Sequence, residues 1–245
     1  MRKGHSLLAS ALAVVLALTG AMIARADGAS ENQAFVDGKV KPAKLDKKKF
    51  KSVNFFVGVR TQANVTGMQA NPSSEFISFG KNVKFKLNKA PLCTTPLPNG
   101  ATPEQARAMC PRKSYLGKGD GAVEFPGLTA NDIVVSVFSG PQKGQLRLHT
   151  YSPTLGTASP TVAAKIVKSN AGRAYGQALS VPHAPVTGSG MITKFNATIE
   201  RSSGVALARC KSGKFRFQRL VTYTDGSSDT VTTTQACKRK PSKHR

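Results

Sequence analysis

Apolar and polar residues alternate with a period of two along most of this chain, a pattern that admits few folds other than stacked or rolled β-sheet. Val83, Phe85 and Leu87 alternate with Lys84, Lys86 and Asn88. Phe215 and Phe217 alternate with Lys214, Arg216 and Gln218, and Val221 and Tyr223 extend the same face. Phe195, Ala197 and Ile199 repeat the arrangement against Lys194, Asn196, Thr198 and Glu200. Successive side chains of a strand point to opposite sides, so each run buries one face and wets the other. Ile133 to Phe138 is instead a nearly continuous β-branched run, suited to a strand covered on both sides. Further strands are expected over 52–62, 75–79, 121–125, 144–151, 161–168, 175–181, 205–210 and 229–236.

Turn residues separate these runs, among them Asn99-Gly100, Ser139-Gly140-Pro141 and Asp225-Gly226-Ser227. Many short strands with closely spaced turns predict an all-β domain, a two-sheet antiparallel β-sandwich of jelly-roll type, with a β-barrel as the alternative. One short helix is expected near 102–110. Thr102 offers a capping hydroxyl, Pro103 suits the first helical position, and Gln105 completes a capping box. Pro111 then restricts Cys110 and stops the helix after about two turns.

Four cysteines add long-range constraints. Met1 to Ala26 has the form of a secretory signal: Arg2 and Lys3, an apolar run from Leu7 to Leu18, then Ala24-Arg25-Ala26. Export to an oxidising compartment makes two disulfides the natural reading of Cys93, Cys110, Cys210 and Cys237. Three pairings are possible. Nearest neighbours, Cys93–Cys110 and Cys210–Cys237, fit the local grammar best, each stabilising by roughly 3–4 kcal/mol in the loop-entropy model. The domain reading is a signal peptide over 1–26, a basic, extended and mobile leader over 27–51, one β-sandwich domain over 52–237, and a basic disordered tail over 238–245. The expected location is extracytoplasmic, with possible attachment to the envelope and no membrane span after signal cleavage.

The segment from Leu92 to Ala122 carries a distinctive series: Leu92-Cys93, sixteen residues, Cys110-Pro111, then Ser114, Leu116-Gly117, Gly119 and Gly121-Ala122. It resembles a recurring pattern in uncharacterised bacterial secreted proteins, in which a second cysteine pair closes the C-terminal part, here Cys210 and Cys237. The resemblance spans about residues 52–237. It implies secretion and a β-sandwich and carries no activity or catalytic residue with it.

Chemistry-bearing motifs are sparse. Lys113 to Gly121 holds alternating glycines, but a strand-like Ala122-Val123-Glu124-Phe125 follows where a phosphate loop needs a helix. A turn or bulge entering a sheet is the better reading. No G-x-S-x-G elbow occurs. His149 reads as an exposed or hydrogen-bonded strand residue, and His183 sits in a proline-flanked loop. Asp120/Glu124 and Asp225/Asp229 are the carboxylate pairs open to a glycosidase, which needs two carboxyls about 5–10 Å apart. Neither a metal site nor a cofactor is expected, and the chain reads as non-catalytic.

Charge is the strongest signal. Lys and Arg number 36 against 12 Asp and Glu, a formal charge of +24, and loss of Arg2, Lys3 and Arg25 with the signal leaves +21. Such a field attracts polyanions. Candidate contacts are Lys84 and Lys86, Lys214 and Arg216, and Lys238, Arg239 and Lys240. The expected partner is an anionic envelope polymer or extracellular polyanion; sequence-specific nucleic-acid recognition has no motif here. The alternatives are a carbohydrate-active enzyme or carbohydrate-binding module, and an adhesion or structural module. Oligomeric state is not legible.

Overall fold

The computed structural model describes residues 32–63, 72–182 and 190–240. The signal segment, His183 and residues 241–245 of the tail lie outside the described residues. In chain order the strands are β1 (Asn32–Lys41), β2 (Lys44–Leu45), β3 (Lys51–Ser52), β4 (Asn54–Ala63), β5 (Pro72–Gly80), β6 (Val83–Phe85), β7 (Tyr115–Phe125) and β8 (Leu128–Ser139). They continue with β9 (Gln145–Tyr151), β10 (Thr161–Lys168), β11 (Tyr175–Pro182), β12 (Met191–Ile199), β13 (Ala206–Ala208), β14 (Lys214–Tyr223), β15 (Ser228–Ala236) and β16 (Lys238–Arg239). Among the described residues the one α-helix, α1, spans Pro103–Met109.

Eleven strands form a single antiparallel sheet in the order β1-β4-β12-β7-β8-β9-β10-β11-β5-β14-β15. It rolls until β1 lies against β14 and β15, so the all-β class stands and the closure is the barrel-like one. No backbone ladder joins β1 to β15. A side chain does that work: Gln235 on β15 accepts from the Val40 backbone N–H at 2.6 Å and donates to the Val40 carbonyl at 3.2 Å. The amide of one glutamine thus copies the two bonds of a strand pair.

The expected leader is corrected from residue 32 onward. Asn32–Lys41 is a full strand of the barrel, paired with β4 from Asn32↔Ala63 to Lys41↔Asn54. Its inward alternation, Ala34, Val36, Gly38 and Val40, is interrupted by a glycine because a Cβ on Gly38 would lie on the ring of Phe217. The tail is corrected at its start as well: Lys238–Arg239 pairs in parallel with β2. The glycine series of Lys113–Gly121 lies mostly inside β7. Added Cβ atoms at Gly117 and Gly119 would run into the carbonyls of Thr198 and Asn196 on β12. Those glycines let two backbones approach closely, with bulges between Tyr115 and Gly117 and between Gly121 and Val123.

A small sheet, β3-β13-β6, plugs one end of the barrel. Val83 and Phe85 of β6 and Leu87 after it are buried there, and Lys84 stays exposed, as the alternation requires. Phe55 meets Phe79 and Phe85 edge to face at 5.1 and 4.9 Å between ring centroids. A second glutamine fastens the plug. Gln177 of β11 accepts from Phe85 N–H at 2.7 Å and donates to its carbonyl at 3.3 Å.

Both disulfides take the nearest-neighbour pairing, Cys93–Cys110 and Cys210–Cys237, with Cα atoms 5.1 and 5.9 Å apart. The first clips an arm, residues 91–110, onto the outer face of β8 and β9. Cys93, Leu97, Ala106 and Cys110 pack there with Phe138. This explains the β-branched run of β8: Val135 and Val137 enter the barrel core, while Phe138 is covered from outside and Val134 remains 42% exposed. The capping box of α1 forms as the sequence predicts, with Thr102 and Gln105 bonding reciprocally. Among the described residues no helix is long and apolar enough to cross a membrane.

Candidate functional site

The plugged end gathers lysines from segments far apart in sequence. Lys51 on β3, Lys84 on β6, and Lys86 and Lys89 around the following 3₁₀ turn line a cleft of about 350 Å³ beside Phe50. None of the four has a carboxylate within ion-pairing distance among the described residues. Lys51 and Ser52 also line a second cleft, about 410 Å³, together with Arg201, Lys240 and Asp46. Across the Glu200–Ser202 turn lies a third, about 610 Å³, formed by Lys39, Lys41, Asn54, Phe56, Thr198, Glu200 and Ser202. The three adjoin. Their walls carry eight Lys or Arg and two acids.

Local structure holds this face in shape. The alternation of β6 buries Val83 and Phe85 in the aromatic cluster, which forces Lys84 outward. β13 bonds β6 on one side and β3 on the other, which sets Lys51 opposite Ala208. The Arg201 N–H donates to Asn54 Oδ1 at 2.7 Å, tying the Glu200–Ser202 turn to the start of β4. The Asp46 carboxylate accepts from the backbone N–H groups of Lys48 and Lys49 at 2.6 and 2.8 Å. The bonds from Lys49 and then Lys48 hold its pKa below the usual carboxylate range. It stays ionised, holding its own turn and offsetting part of the charge of Lys49 and Lys51. Lys39 sits over the Phe56 ring, 5.4 Å from its centroid, leaving a half-exposed aromatic face in the widest cleft.

Unpaired like charges repel by about 0.4–1 kcal/mol per pair at ~4–10 Å in water. A bound anion adds an attraction to each of these cations that offsets their mutual repulsion. The arrangement is thus suited to repeated negative groups spread along a polymer and has no single deep anion pocket.

The structure brings together part of the expected set. Lys84 and Lys86 share one cleft and Lys240 the next. Lys214 and Arg216 stand apart on the outer face of β14, opposite Ala236 and Thr234 of β15. Arg239 folds back, its guanidinium donating to the Lys211 carbonyl at 2.9 Å, and Lys238 is held in register with Lys44. Lys39, Lys41, Lys51, Lys89 and Arg201 were outside the sequence-based set. For Lys39, Lys41 and Lys51 the signal was the lysine density of Gly38–Lys51, read as leader because its apolar residues keep no strand spacing; Lys89 and Arg201 have no such signal.

The carboxylate pairs do not converge. Asp120 and Glu124 lie on one strand, four residues or about 13 Å apart, and Asp120 is taken up by Lys194 and Asn196. Asp225 accepts from Ser227 within its own turn, and Asp229 accepts from the Tyr223 hydroxyl at 3.0 Å. Burial first, then that bond to Asp229, raises the Tyr223 pKa strongly. Among the described residues no three His, Cys, Asp or Glu side chains converge as a metal site would require.

His149 is a correction. It is 1% exposed, beneath the arm on the outer face of β9, and its ring nitrogens make no hydrogen bond of normal geometry. Burial lowers its pKa, with a smaller opposite pull from the backbone of Ala101.

No protein-family model matches the chain, and neither does a curated protein. Among solved structures, the cohesin module of a Clostridium perfringens family 33 glycoside hydrolase is similar at a TM-score of 0.29 and 8% identity, over 85% of this chain and all of that module. A likeness that slight carries no argument about fold or function.

Proposed function

We propose that this protein is an exported, non-catalytic binding protein that holds an anionic polymer of the cell envelope or extracellular space across its plugged end. One observation carries the reading: the walls of three adjoining clefts present eight cations against two acids, and of the eight only Lys39 has an ion pair among the described residues, with Asp37. The signal-like N-terminus, the two disulfides and the resemblance to bacterial secreted proteins support a location where such polymers occur. The widest cleft adds Phe56 with Asn54, Thr198 and Ser202, an apolar face beside hydroxyl and amide groups. That chemistry suits an acidic polysaccharide better than a bare inorganic chain.

Retention on immobilised heparin, used as a generic sulfated polysaccharide, tests this directly. The protein should elute well above physiological ionic strength, and Lys51, Lys84, Lys86 and Lys89 changed together to Ser should elute much earlier. Passage of the unaltered protein through the column at ~0.15 M salt would refute the proposal.

A further inference from the structure

The end of the barrel away from the plug encloses a second, chemically different space. Side chains from seven of the eleven strands surround a cavity of about 60 Å³, with Val57, Leu148, Val162, Leu179, Val181 and Ile192 among its apolar lining. Arg219, Glu75 and Thr61 form its one polar side.

Arg219 points inward from β14 and is 1% exposed. One terminal nitrogen donates to the Arg60 carbonyl at 2.7 Å, the other to Thr61 Oγ1 at 3.0 Å and to the Glu75 carboxylate. Its Nε–H is buried with no acceptor among the described residues. Buried donors are nearly always met, so an orphan beside a cavity marks where an acceptor fits. Glu75 already balances the guanidinium, and a second anion would be repelled by it. The missing group is therefore a neutral acceptor. The space is less than half the ~150 Å³ of an apolar cavity that holds benzene, so only a slim molecule or chain end enters.

From this geometry we infer that the barrel lumen is a binding site for a slim, uncharged, largely apolar molecule carrying one hydrogen-bond acceptor, such as a short aliphatic ketone, ester or alcohol. The walls take the alkyl part and Arg219 Nε–H donates to the acceptor.

NMR on the disulfide-intact protein reads both halves of the claim, with 2-butanone, butanoate and xenon as probes. 2-Butanone should give saturable shifts in the methyl signals of Val57, Leu148 and Leu179, and should move the Arg219 Nε–H signal. Xenon should shift the methyls alone. Butanoate should bind at least about tenfold more weakly than the ketone. Val162→Phe, or Ile192→Phe should the first variant lose its fold, fills the space and should weaken 2-butanone at least about tenfold. No saturable shift, an unmoved Nε–H signal with 2-butanone, equal binding of butanoate, or unchanged binding in the filled variant each overturns the inference.

Discussion

Phe217 and Arg219 are neighbours on the inward face of one strand, yet they belong to opposite ends of the barrel chemistry. Phe217 joins Phe55, Phe79 and Phe85 under the small sheet, where apolar area fills the space. Arg219 instead ties β14 to β1, β4 and β5 through three carbonyl or hydroxyl acceptors and Glu75, and beside it the core leaves room. Packed rings interlock without orphan polar groups, so the plugged end is a rigid platform for charged side chains outside it. A buried ion pair holds its strands by directional bonds and does not fill volume, so the far end keeps a cavity. One end therefore carries its charge on the outer surface and the other carries it in the interior.

The largest effect should come from breaking the aromatic end. Phe55→Ala removes a ring 1% exposed and in contact with three others, and should cost ~3–5 kcal/mol of unfolding free energy. A urea midpoint barely changed would show that the rings are not the seal. At the other end Arg219→Met alone strands Glu75 and should cost about 3 kcal/mol or more, whereas adding Glu75→Leu should recover most of it. If the double variant stays as unstable as the single one, the bonds to Arg60 and Thr61 matter more than the ion pair.

A smaller effect sharpens the comparison. Gln235→Ala and Gln177→Ala each delete two bonds to one backbone residue and should cost about 1–2 kcal/mol. Hydrogen exchange separates them: the first should speed exchange at Val40 N–H, at the seam, and the second at Phe85 N–H, in the plug. Unchanged rates would mean that backbone packing alone closes the barrel.

The smallest effect depends on pH. Burial lowers the His149 pKa in the folded protein, so the unfolded chain takes up its proton first. Stability should be unaffected at neutral pH and above, should fall as pH drops below the unfolded value near 6.5, and should level once the folded histidine is protonated too. His149→Leu should flatten that acid limb in denaturation midpoints measured between pH 7.5 and 5. An acid limb of the same slope in both proteins would assign it elsewhere.

Alternation made most of the barrel legible: the expected 161–168 and 229–236 runs coincide with β10 and β15 to within a residue, and the face from Phe215 to Tyr223 lies in β14. The misses share a cause. At Gly38, Gly117 and Gly119 the inward position is taken by a neighbouring ring or carbonyl, so the strand has glycine where the pattern needs an apolar residue. Arg219 was visible as a charge on the inward side of an apolar alternation, between Phe217 and Val221. That mismatch is the sequence trace of the polar end. The basic face was legible as charge but not as a place, because the contacts that assemble it join residues 39–51, 84–89, 201 and 240.

The central claim is that location, not total charge, makes the plugged end a polyanion site. Binding of a heparin oligosaccharide, measured across a salt series, should be compared between two variants of equal net charge. One carries Ser at Lys51, Lys84, Lys86 and Lys89; the other carries Ser at Lys143, Lys165, Lys168 and Arg173, which are exposed and line none of the three clefts. At roughly 0.7–0.9 per contact, as for nucleic-acid phosphates, the first should lose about 3 from the slope of log K against log salt and the second less than about 1. Equal losses in the two variants would contradict the account.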